Sequence, residues 1–154
     1  MENKNEKSGL EGVYNYHHTK ERGDFFLVLG NERGSFLKEK IGEGKYVLDI
    51  GCRDGALTKL YCSGNKVLGL DIDEAALLRA KNSLGIEVKH TDLHGPCGVP
   101  ANTFDAVVAA EVVEHLYYPE HVFEKVSEVL KPGGFFVGSI PHAFSIQNRV
   151  KLFF

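Results

Sequence analysis

Apolar and polar positions follow two different periods along this chain. Short β-prone runs over 46–50, 66–71, 86–90, 105–110 and 135–140 predict five strands. Between them the apolar residues move to helical spacing. Leu57, Leu60 and Tyr61 fall at i, i+3, i+4 and predict a short helix over 55–62. Leu77, Ala80 and Leu84 give an inward face to a helix over 74–84, with Asp73 as its N-cap. Val122, Phe123, Val126, Val129 and Leu130 form the core stripe of a helix that Pro119 opens and Pro132-Gly133-Gly134 ends. Strands alternating with helices predict an α/β fold, a Rossmann-like, doubly wound, mostly parallel sheet with right-handed crossovers.

The ends carry weaker patterns. Residues 1–12 are polar and read as disordered. Over 19–41, Phe25, Phe26 and Leu29 make one apolar patch and Phe36, Leu37 and Ile41 another. Gly30 and Gly34 lie between them, so two short helices are predicted, closed by Gly42 and Gly44 and covering one sheet face. Ile146, Val150 and Phe153-Phe154 suggest an amphipathic helix at the other end. The chain divides at residue 45: an N-terminal helical segment over 1–45, then the sheet domain over 46–154.

Composition narrows the class without naming a function. At 154 residues the chain can hold one domain with a real core, and 43% apolar with 25% charged residues suits a soluble globule. A net charge of −3 leaves no broad basic field for nucleic acid or an anionic membrane. No apolar run approaches a membrane span, and the polar start M-E-N-K-N-E-K-S lacks the apolar core of a signal peptide. Cys52, Cys62 and Cys97 form neither a C-x-x-C motif nor an even set, which points to a reducing, cytoplasmic setting. Cys52 reads as a small packed residue in a turn.

The chemistry centres on V-L-D-I-G-C-R-D-G, residues 47–55: strand, glycine turn, helix. Glycine lets backbone approach a ligand, and the following helix start faces it. Asp71, at the tip of the second strand, comes twenty residues after Gly51. An acid there can accept both hydrogen bonds of a ribose diol. A dinucleotide also needs G-x-G-x-x-G, yet Arg53 and Ala56 stand at the second and third glycine positions. A side chain at the second position obstructs a pyrophosphate. S-adenosylmethionine has a ribose and no pyrophosphate, so it escapes that objection; a dinucleotide oxidoreductase is disfavoured.

With V-L-G-L-D-I-D (67–73), H-T-D-L-H (90–94), F-D-A-V-V-A-A-E-V-V-E-H-L (104–116) and L-K-P-G-G-F-F-V-G-S-I-P (130–141), the chain resembles the class I S-adenosylmethionine-dependent methyltransferases of the type 11/12 kind. Five segments come in that family's order and spacing over 47–141. Arg53 departs from it, standing where the family usually has glycine. The resemblance implies S-adenosylmethionine as cofactor and S-adenosylhomocysteine as product. It implies that Gly51, Cys52 and Gly55 back the methionine portion with Asp49 near it, and that Asp71 takes the ribose hydroxyls. Ile72 would pack on the adenine, Asp92 would accept from its amino group beside Leu93, and Ala110 and Glu111 would floor the site. The aromatic cluster Tyr14, Tyr16, His17, His18 then reads either as a lid or as an anchor for the N-terminal helix.

An acceptor that must lose a proton needs a base, and His115, Glu114, His142 and Tyr117 are the candidates, with His115 first. E-x-x-E-H, carried by Glu111, Glu114 and His115, also resembles the divalent-metal signature of ubiquinone-pathway and small-RNA O-methyltransferases; against it stands the reading in which Glu111 faces solvent or cofactor and His115 packs. The N-P-P-Y-type signature of amine methyltransferases is absent, since the residues after the fourth strand are A-A-E-V. The family continues past its fifth strand with an antiparallel hairpin that this chain lacks. The expectation is therefore a truncated chain whose fifth strand is an exposed edge, open to a homodimer. The predicted activity is methyl transfer to a small-molecule or biosynthetic acceptor. A non-catalytic methyltransferase-like binding or assembly module is the alternative, with no nucleic-acid or membrane partner expected in either case.

Overall fold

The longest unbroken apolar run fixes the middle of the molecule. In the computed structural model, which describes residues 30–140 apart from 94 and 96, Val47, Leu48 and Ile50 of strand β1 (Tyr46–Ile50) are all buried. Strand β4 (Phe104–Ala110) is buried almost throughout. Strands covered on both faces belong at the centre of a parallel sheet. β2 (Lys66–Asp71), β3 (Glu87–His90) and β5 (Leu130–Ser139) complete it. The order is β3-β2-β1-β4-β5, and every pairing is parallel. The chain runs outward from β1 through β2 to β3, then returns to β4 on β1's other side. Strand order therefore reverses between β1 and β4, where an open α/β sheet leaves a crevice at its carboxyl edge.

Alternation within each strand sends side chains to two apolar layers. Leu48, Ile50, Leu70, Phe104, Val107 and Ala109 pack against Val122, Val126 and Val129 of helix α3 (Pro119–Val129); α1 and α2 lie in the opposite layer. There Val47, Val67, Ala106 and Val108 meet Leu37 and Ile41 of α1 (Gly30–Ile41), Tyr61, and Ala80 of α2 (Glu74–Leu84). Complete burial of Val47, Val107 and Val108 contributes about 1.5–3 kcal/mol each. Asp73 caps α2 as expected, accepting from the Ala76 N–H at 2.9 Å, and Gly85 ends it in the left-handed region.

Three expectations need correction. The helix over 55–62 is a series of turns holding one 3-10 turn, Thr58–Leu60. Gly55 has φ +80°, and the Asp49 carboxylate draws Thr58 and Tyr61 inward, so the segment winds around a buried acid. Gly34 does not interrupt α1, and the first of the two predicted helices lies outside the described residues. A Cβ on Gly34 would stand 2.0 Å from Leu60 Cδ1, so the glycine is the place where α1 approaches that 3-10 turn. Phe123 leaves the predicted stripe; it is half-exposed and meets Phe136 edge-on at 5.7 Å. Finally, α3 stops at Val129, and Pro132-Gly133-Gly134 lie within β5. Phe104 pairs with Leu130 and Ala106 with Phe135, so 131–134 bulge opposite Asp105. Lys131 Nζ donates to Asp105 Oδ1 at 2.8 Å across the bulge and lowers that carboxylate's pKa.

Tyr14, Tyr16, His17, His18, the Phe25-Phe26-Leu29 patch, His142 and the predicted helix at Ile146–Phe154 lie outside the described residues. Among the described residues no helix is long and apolar enough to cross a membrane.

Candidate functional site

The carboxyl edge is built by backbone first. Gly51 leaves β1 at φ +72°, and its N–H and that of Cys52 both donate to the Leu70 carbonyl, at 2.7 and 3.1 Å. A Cβ on Gly51 would stand 2.2 Å from Val112 Cγ2. Only glycine has both the conformation and the space. Cys52 fills the gap beside Gly69, where a Cβ would come within 2.5 Å of its Sγ. It is buried, and burial pushes its thiol pKa up, so it packs as a neutral small group. Gly55, the last glycine of the turn, sits against Leu84 of α2.

Asp71 closes β2 at 9% exposure. Its two oxygens are shared evenly: Arg53 N–H donates to Oδ2 at 2.8 Å and Asp73 N–H to Oδ1 at 2.9 Å. Each oxygen keeps a lone pair for a further donor. Burial raises its pKa, against the lowering effect of these amides. Arg53 pays for its bond with backbone strain, at φ +52°. Ile72 follows half-buried, and its carbonyl lies 2.9 Å from His90 Nε2 at the end of β3. Asp92 is exposed just beyond β3, and Leu93 packs against the α3-side layer. Ala110 ends β4 in register with Ser139 of β5.

Asp92 and Leu93, then Asp71 and Ile72, then Gly51 and Cys52, then Ala110 thus lie along a single edge, in the strand order β3-β2-β1-β4. Asp49 does not join them with its side chain. Its Oδ2 accepts from Thr58 Oγ1 and from Tyr61 OH, both at 2.5 Å, beneath the glycine turn. Burial raises its pKa to about 6, and the two hydroxyl bonds pull the other way. The carboxylate thus anchors the glycine turn from within.

Glu111 is also placed differently. Its backbone turns at φ +60° just after β4, and its carboxylate faces α1 and β5: Arg33 Nη2 lies 3.5 Å from Oε1, and Ser139 Oγ donates to it at 3.2 Å. Glu114 and His115 lie on the 3-10 turn Val113–His115, 3.9 Å apart, with His115 half-exposed. The three side chains of E-x-x-E-H are therefore not gathered, and no cluster that could hold a metal occurs among the described residues. Thr58, Tyr61, Arg33 and Ser139 were not singled out from sequence. Tyr61 carried a faint signal, as part of the stripe of the predicted helix; Arg33 and Ser139 meet only through the fold.

The geometry finds its counterpart in known proteins. A family model described as a methyltransferase domain matches residues 48–138. A ubiquinone biosynthesis O-methyltransferase of Nitrosococcus oceani is 35% identical over 97 residues, covering 59% of this chain and 41% of its own length. A solved S-adenosylmethionine dependent methyltransferase from Mesorhizobium loti is 30% identical with TM-score 0.60, covering 65% of this chain and 48% of its own. The solved [4+2]-cyclase SpnF, at 21% identity and TM-score 0.62, covering 70% of this chain and 43% of its own, shares the fold. The chain spans about half the length of the curated relatives it matches. With the β3-β2-β1-β4-β5 sheet and its glycine turn in place, the family match over 48–138 decides the matter: this chain belongs to the methyltransferase domain family and has its class I fold.

Proposed function

We propose that this chain binds S-adenosylmethionine along the carboxyl edge of β1, β2, β3 and β4 and directs its methyl group to a hydroxyl of a small biosynthetic acceptor. The observation that carries this reading is Asp71. Its buried carboxylate stands at the strand tip, beside a glycine turn, with one lone pair left on each oxygen. That pair of acceptors fits the two hydroxyl donors of a ribose diol. Gly51 and Cys52 would back the methionine portion, Ile72 and Leu93 would flank the adenine, and Asp92, exposed beyond β3, would accept from its amino group. The bound cofactor supplies an activated methyl on a sulfonium, so the chain's own work is alignment and exclusion of water.

The hydroxyl acceptor comes from the names of relatives such as the Nitrosococcus oceani enzyme. A hydroxyl must lose a proton as it is methylated, and His115, beside Glu114 after β4, is the base this reading assigns. The binding-module alternative rests on Arg53, a bulky residue in a strained turn; it predicts binding without turnover.

Calorimetric titration with S-adenosylhomocysteine tests the proposal. Micromolar binding, roughly 8 kcal/mol, is expected for the wild type and its loss for Asp71→Ala. Equal binding by both would remove Asp71 from the site. Turnover is then tested with 3,4-dihydroxybenzoate as a probe hydroxyl acceptor, where His115→Ala should lower kcat and leave S-adenosylhomocysteine affinity unchanged.

A further inference from the structure

Glu111 is a non-glycine residue held at φ +60° at the point where strand order reverses. Such a conformation persists only where surrounding contacts over-determine it. Here those contacts come from two directions. Its N–H donates to the Ser139 carbonyl at 2.9 Å, and its Oε1 faces Ser139 Oγ and Arg33 Nη2. Arg33 Nη2 also donates to Ser139 Oγ at 3.1 Å, so one guanidinium nitrogen faces both partners. The consequence reaches the glycine turn through Val112. Turning the backbone at Glu111 sends Val112 into the space that Gly51 leaves by having no side chain. Val112 is buried there, so the two turns fit only together. Arg33 itself is aimed by α1, which is held by Leu37, Ile41 and the close approach of Gly34 to Leu60.

We propose that Arg33 is a positioning residue: through Glu111 it fixes the turn after β4 and, by way of Val112, the Gly51 turn on which the cofactor would rest. This inference rests on the cofactor site proposed above. It makes α1 part of the site's frame without requiring Arg33 to touch the ligand.

A double-mutant cycle tests it, with S-adenosylhomocysteine affinity and melting temperature read on the wild type, Arg33→Ala, Glu111→Gly and the double variant. Arg33→Ala should weaken binding about tenfold, the scale of one strained backbone conformation, while Arg33→Lys falls between it and the wild type. Glycine takes φ +60° unaided, so in the Glu111→Gly background the same arginine substitution should change affinity less than twofold. An undiminished loss in that background would mean that Arg33 acts independently of Glu111 and would overturn the proposal. So would Arg33→Ala binding within twofold of the wild type, an Arg33→Ala chain that does not fold, or a Glu111→Gly variant with no binding at all. If the folded wild type binds no S-adenosylhomocysteine, the site reading fails first. The melting-temperature cycle then judges the clamp alone: coupling between the two substitutions supports it, and additive losses overturn it.

Discussion

Asp49 shows how a side chain's setting can depend on partners that the sequence does not name. Its place before the glycine turn was plain, and its partners were not, because Thr58 and Tyr61 reach it only after the 55–62 segment has wound inward. Its pKa is about 6 in the fold against an ordinary 3.8, so the folded state holds the proton more tightly. The stability linked to that proton is fully present below about pH 4 and is lost as pH rises through about 6. The difference is worth about 3 kcal/mol. Asp49→Asn should flatten this part of the stability profile, measured as urea midpoints between pH 4 and 8, because asparagine accepts the same hydroxyls without a charge. Asp49→Ala, which strands two buried hydroxyl donors, should cost about 2–4 kcal/mol at pH 4, and about 3 kcal/mol less at pH 8, where the wild type has lost the proton-linked part. A slope unchanged in Asp49→Asn would assign the titration elsewhere. Arg53 tests strain at the same scale. Left-handed backbone costs a side chain about 1–2 kcal/mol, and glycine returns about 1 kcal/mol of that to the unfolded chain. Arg53→Gly should therefore match or slightly exceed the wild type in melting temperature, and Arg53→Val should fall clearly below it.

At the level of elements, periodicity located all five strands and the two later helices, although it misplaced where the last helix stops. It failed where a contact distant in sequence overrode a local preference. Gly34 argued for a helix break, and propensity alone says that alanine there should stabilise α1 by about 1 kcal/mol. The structure predicts the opposite sign, because the added methyl would meet Leu60 Cδ1 at 2.0 Å. Gly34→Ala should destabilise by about 1–3 kcal/mol in chemical denaturation. Leu60→Ala introduced beside it should recover part of the loss. A stabilised Gly34→Ala would mean that α1 does not dock as described. The bulge at 131–134 was hidden for a related reason: Pro132-Gly133-Gly134 is an ordinary helix stop, and only pairing with β4 keeps it inside β5.

Over the whole molecule, protection should follow depth in the sheet. β1 and β4 are sealed by both apolar layers, whereas β3 and β5 lie at the edges and are only partly buried. Beside β5 lies an open depression of about 520 Å³, lined by Phe36, Lys40 and 135–138. Alternation and the crossover rule give a parallel sheet with right-handed connections but leave several strand orders open, so the order itself was not legible from periodicity. Hydrogen exchange should find the amides of Val47, Leu48, Val107 and Val108 opening only with global unfolding, and those of β5 opening well before them. The homodimer expected from an exposed edge can be read in the same experiment. A second copy pairing along β5 would satisfy its outer backbone groups, so β5 protection should rise with protein concentration while β1 and β4 stay unchanged. Phe36→Glu, which charges the rim of the depression at a half-exposed position, should weaken that rise without lowering the melting temperature. Protection of β5 that is the same at low and high concentration would leave the edge unpaired between copies and end the dimer expectation.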